Sequence, residues 1–140
     1  ALLVIARVAA IATLFCLHAF ARPRYGAAGT TGYWLAVIGL VLMLLSTLTA
    51  IFAGDAGGYD WLVYPFTAGM LLASLGYILL GIMTWRKGIL PPWGGGALIL
   101  LGLPLSILLS GFIAVIVNGL AWLAVGIALW RQPPAAPAED

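Results

Sequence analysis

The chain has 140 residues, of which 64% are hydrophobic and 7% charged, against roughly 25% charged in an ordinary soluble domain. A mean hydropathy of +1.17 leaves too little polar surface to coat a water-soluble globule, so lipid is the expected solvent and a single membrane domain the expected organisation. Six Lys and Arg against four Asp and Glu give a pI of about 9.0, but the cations sit at the ends of apolar runs, which speaks against nucleic-acid binding and for a positive-inside topology.

The first apolar run, Leu2 to Phe20, is interrupted by Arg7. Ala19-Phe20-Ala21 has the form of a signal cleavage site, yet Arg22 and Arg24 follow the apolar run, where a signal peptide would carry them before it. The reading is a retained helix with a cytoplasmic C-terminal end. Arg22 to Gly32 (RPRYGAAGTTG) reads as a short polar loop, rich in glycine. The second span, about 33–52, is roughly 30 Å long at 1.5 Å per residue. Gly54 to Asp60 (GDAGGYD) holds two acids and no cation, and reads as an external turn. The third span, about 65–85, begins at Pro65, which a first helical turn tolerates. Tyr59, Trp61 and Tyr64 form an aromatic collar at its outer edge.

The stretch 85–93 (WRKGILPPW) closes that span. Arg86 and Lys87 resist entry into hydrocarbon, Gly88 suits the residue just past a helix end, and Pro92 suits the first residue of the next helix. From Trp93 to Trp130 a single helix would measure roughly 57 Å, far beyond a hydrocarbon core of about 30 Å. It would also put Arg131 opposite the other cations. A break near Ser110-Gly111 gives two spans, about 92–109 and 112–130, with a kink at Pro104 in the first. The expected fold is an all-α integral membrane helical bundle over residues 1–131. It has five transmembrane helices (about 2–20, 33–52, 65–85, 92–109 and 112–130), the N-terminus outside and the C-terminus inside. Residues 132–140 (QPPAAPAED) are expected as a disordered cytoplasmic tail.

Few side chains could carry chemistry. His18 is the sole histidine, a candidate cofactor ligand, but haem held by two histidines of one subunit is excluded by count, and an interfacial histidine is the favoured reading. Arg7 is near enough to its helix end to snorkel outward, and it shares a helix face with His18, eleven residues on. No Asp or Glu lies in any expected span, so proton exchange through an intramembrane carboxylate has no residue to perform it. Ser/His/Asp catalysis lacks a carboxylate near His18. Cys16 alone gives neither a disulfide nor a metal cluster.

Asn118 is the most polar side chain deep in a span. Its strip, Ala114, Asn118, Ala121, Val125 and Ala128, is expected to pack against another helix, with substrate contact as the functional alternative. Further small-residue strips are Gly39, Ser46, Ala50 and Ala53; Gly69, Ala73 and Gly76; and Gly95, Gly102, Ser106 and Ser110. Tyr77 and Trp122 are expected as packing aromatics.

The run Arg86-Lys87-Gly88-Ile89-Leu90-Pro91-Pro92-Trp93, with the Gly-led aliphatic helix after it, resembles a corner of uncharacterised small multi-pass bacterial inner-membrane proteins. The resemblance implies a bacterial cytoplasmic membrane and carries no activity or functional residues. The expected function is that of a non-enzymatic membrane protein, an interaction or assembly subunit of a membrane complex. Two alternatives stand beside it: a small-solute transporter or channel component with Arg7, Ser106, Ser110 and Asn118 as polar pathway residues, and a redox or pigment-binding subunit using His18. No cofactor or metal is expected. The expected partners are the lipid bilayer and copies of the chain or a larger membrane complex, with no nucleic acid.

Overall fold

The computed structural model describes residues 2–53, 59–102 and 111–131, and the regular structure among them is all helical. Helix α1 (Leu2–Ala53) consists of two arms, with Gly26 alone departing from helical dihedrals at φ 66°, ψ −163°. That region of backbone space is open essentially only to glycine. The chain reverses there. Arg7 of the first arm reaches Met43 and Thr47 of the second, and Phe15 and His18 both meet Tyr33. The arms thus form an antiparallel hairpin.

The loop expected over residues 22–32 is instead helical on both sides of Gly26. Thr30 and Thr31 donate their hydroxyls to the carbonyls of Gly26 and Ala27, at 3.0 and 3.1 Å. Gly32 is buried against Leu79 and Leu80 of the third helical stretch. Packing of these small residues holds in a helix a composition that, read locally, spells a turn.

A short 3-10 helix, Tyr59–Leu62, leads into α2 (Val63–Arg86), with Pro65 in its first turn as expected. The end of α2 is closed by paired capping bonds, Gly88 N–H to Trp85 O at 3.1 Å and Ile89 N–H to Thr84 O at 3.0 Å. Gly88 takes φ +61°, the left-handed conformation this cap needs, and the fully buried Ile89 seals it. Helix α3 (Pro92–Gly102) starts on Pro92, where a missing N–H costs nothing. Helix α4 (Gly111–Trp130) completes the described fold.

α2 lies between two partners. One face presents Gly69, Ala73 and Gly76 to the second arm of α1; another presents Gly81 to α3. A Cβ built on Gly76 would stand 2.6 Å from the Gly32 carbonyl oxygen, and one on Gly81 would stand 2.8 Å from that of Gly95. Helices meet here backbone to backbone, close enough for Cα–H···O contacts. The contact strip of the second arm is Gly32, Ala36 and Gly39, continued by the buried Ser46, whereas Ala50 is exposed. α4 rests on α3 through Ala128, which faces Gly94, and it buries Ala121, Val125 and Ala128.

Three stretches, Val4–Arg22, Gly26–Phe52 and Val63–Arg86, are long and apolar enough to cross a membrane. Their outer surface is apolar too, with Ile5, Phe15, Leu45, Phe52, Leu71 and Leu75 all exposed. α3 and the apolar part of α4 are shorter. Pro104, Ser106, Ser110 and the tail 132–140 lie outside the described residues.

Candidate functional site

The two ends of the bundle differ in charge. At one end lie the Gly26 turn, flanked by Arg22 and Arg24, and the Arg86-Lys87 corner, since Gly32 abuts Leu79 and Leu80 of α2. Arg131 belongs to this end as well: it lines a cleft of about 470 Å³ with Gly88, Pro91, Pro92 and Trp93. All five cations are exposed, and Arg24 lies over the Phe20 ring at 5.6 Å. Trp85, Trp93 and Trp130 are exposed around the same corner, as aromatic anchors at an interface are.

Arg7 sits at the opposite end. Its Nη1 donates to the carbonyl oxygen of Met43 at 2.7 Å and to the hydroxyl of Thr47, which in turn donates to the same Met43 carbonyl at 2.8 Å. The guanidinium also lies 5.2 Å from the ring centre of Phe66, a cation–π distance. Among the described residues no carboxylate pairs with it. Beside it, a cavity of about 320 Å³ is bounded by Ser46, Thr47, Ala50, Leu62, Val63 and Phe66. Met43, Thr47 and Phe66 were not expected as partners of Arg7. The signal for the first two lies only in the hairpin: both follow Gly26 by about as many residues as Arg7 precedes it.

His18 stacks on the buried ring of Tyr33, with ring centres 3.9 Å apart and planes inclined by 18°. Phe15 meets the same tyrosine edge-on. Arg7 and His18 therefore both turn toward the second arm, at separate heights, and are not brought together. Tyr77 and Trp122 pack edge to face at 5.6 Å, joining α2 to α4. Cys16 is exposed.

Asn118 is placed differently from the strip it belongs to. Ala121, Val125 and Ala128 are buried, but Asn118 is exposed, and its amide has no hydrogen-bond partner among the described residues. About a quarter-turn round α4 from Asn118, a Cβ added at Gly119 or Gly126 would meet nothing within 4 Å.

Fold and surface together define, among the described residues, an all-helical bundle in which three stretches are long and apolar enough to cross a membrane. The chain matches no protein-family model, no curated protein and no solved structure.

Proposed function

We propose that this is a five-span, non-enzymatic integral protein of a bacterial cytoplasmic membrane, N-terminus outside and C-terminus inside, acting as an interaction or assembly subunit. The observation that carries the reading is the exposed amide of Asn118, with the uncovered Gly119 and Gly126 about a quarter-turn round α4 from it. In hydrocarbon a bare amide is costly, and a second helix that approaches over small residues can satisfy it. The glycine faces of α2 are, by contrast, already occupied by α1 and α3. The five-span count and orientation are supported by Arg131, which shares a cleft with Gly88 at the end that carries Arg86 and Lys87, as the positive-inside rule requires of a cytoplasmic face. The backbone-level contacts of α2 with its two neighbours favour packing over a solute pathway through that part of the bundle.

The test is cross-linking in native membranes with Gly119→Cys and Gly126→Cys in a Cys16→Ala background, and Ala128→Cys as a buried control. The expected result is a covalent dimer, or a conjugate with one membrane protein, at the first two positions only. A chain that stays monomeric in lipid and cross-links at neither position overturns the assembly reading.

A further inference from the structure

The Arg7 cluster is a built cationic site in which no described side chain supplies a negative charge. A guanidinium carries five N–H donors in a planar fork. At Arg7 only Nη1 is engaged, by the Met43 carbonyl and the Thr47 hydroxyl. The remaining donors have no hydrogen-bond partner among the described residues. Those two contacts and the ring of Phe66 hold the head in place, so little side-chain freedom is left to lose when an anion arrives. Guanidinium is matched bidentately by phosphate or carboxylate oxygens.

The surroundings select among anions. Thr47 and Phe66, which touch Arg7, also bound the adjoining cavity of about 320 Å³. Its other walls are Ala50, Leu62, Val63 and Ser46, and the Ser46 hydroxyl is already turned back to the Leu42 carbonyl at 2.9 Å. The space beside the charge is therefore an apolar slot. Its position, at the end of the bundle where α2 begins, is the depth at which lipid phosphates meet hydrocarbon.

We infer that Arg7, Thr47 and Phe66, with the slot between the second arm of α1 and the start of α2, form a binding site for a single phospholipid of net negative charge. Its phosphate pairs with the free edge of the Arg7 guanidinium, and one acyl chain lies along Ala50, Leu62 and Val63. The one described charge at the site is the Arg7 guanidinium, so a lipid of net negative charge is favoured over a zwitterionic one, whose ammonium group that cation repels. The inference depends on the membrane reading and is independent of the assembly reading.

The experiment is native mass spectrometry of the full chain in a neutral detergent, titrated with phosphatidylglycerol, phosphatidylcholine, diacylglycerol or inorganic phosphate. The expected result is one phosphatidylglycerol that outlasts the lipids held at the Arg86-Lys87-Arg131 end. Arg7→Gln should weaken that site by about tenfold or more, the worth of one charge-assisted hydrogen-bonded pair, and Arg7→Lys should weaken it less. Ala50→Phe, at an exposed position that touches none of the Arg7 bonds, should block the slot and lose the same lipid. This keeps the test intact if Arg7→Gln fails to fold. Equal retention by the parent chain and Ala50→Phe, or equal binding of phosphatidylcholine, overturns the inference. Saturation by inorganic phosphate alone overturns the lipid half of it. A gain of the tight lipid in Asp55→Asn or Asp60→Asn would identify an acid of the chain itself as the resident anion and overturn it as well.

Discussion

Gly39 and Gly69 face each other so closely that neither has room for a side chain. A Cβ on Gly39 would stand 2.5 Å from the Gly69 carbonyl oxygen, and a Cβ on Gly69 would stand 2.7 Å from the Gly39 carbonyl oxygen. Both obstacles are backbone, so neither can swing aside. Gly39→Ala and Gly69→Ala should each cost about 1–3 kcal/mol by overpacking. Gly96→Ala, where nothing lies within 4 Å, should be neutral or slightly stabilising through helix propensity. Thermal unfolding in detergent separates the two classes; equal Tm values for all three variants would remove the close contact from the account of stability.

Gly26 and Gly88 make the opposite case. Open space surrounds both, yet their φ values are +66° and +61°, where a Cβ is strained whatever the room. Gly88→Ala should cost about 1–2 kcal/mol, the left-handed penalty of an L-residue, and Gly88→Asn should cost less. Gly26 also has ψ near extended, so asparagine should not rescue it, and Gly26→Ala should cost about 1–3 kcal/mol. Unfolding midpoints of the four variants, with Gly26→Asn as the fourth, check the ranking.

The stack of His18 on Tyr33 joins the two arms of the hairpin as a packing contact. His18→Phe should preserve it, and His18→Ala should lose on the order of 1 kcal/mol, the worth of a ring pair. Neither should change the visible absorption of protein purified in mild detergent. An absorption band in the parent that His18→Phe abolishes would replace packing with cofactor ligation.

Because Asn118 is exposed, Asn118→Leu should leave the stability of the isolated chain within about 0.5 kcal/mol. It should weaken association along α4, which sedimentation in detergent reads directly. A variant that associates normally but loses the flux of a solute would promote the transporter alternative.

Topology supplies a further check. A reporter fused after Asp140 should read cytoplasmic and one inserted near Gly57 external. Finding the chain's two ends on the same side would refute the five-span arrangement.

Local chemistry made the α2–α3 corner readable: Gly88 caps, Pro92 initiates, and both effects reach only a few residues. A turn within residues 22–32 was readable by the same means, but not that Gly26 alone makes it. Gly26, Gly29 and Gly32 look alike in sequence, and the one that turns is distinguished by Gly32 lying against Leu79 and Leu80, tens of residues away. Periodicity gave the strip of Asn118, Ala121, Val125 and Ala128, but not which of its members a neighbour covers: Ala121, Val125 and Ala128 are buried and Asn118 is not. Arg7 could be singled out as a charge in an apolar run, whereas its partners depend on the register of the whole hairpin.

A reversal made at the single residue Gly26 also bears on how the chain enters its bilayer. On the proposed five-span reading, the first arm has no slack with which to settle across the membrane while the second waits in water. Nη1 of Arg7 meets its two partners in the chain only once Met43 and Thr47 have been synthesised and brought alongside. On that reading the two arms are expected to partition into lipid as one object, making insertion of α1 a single event.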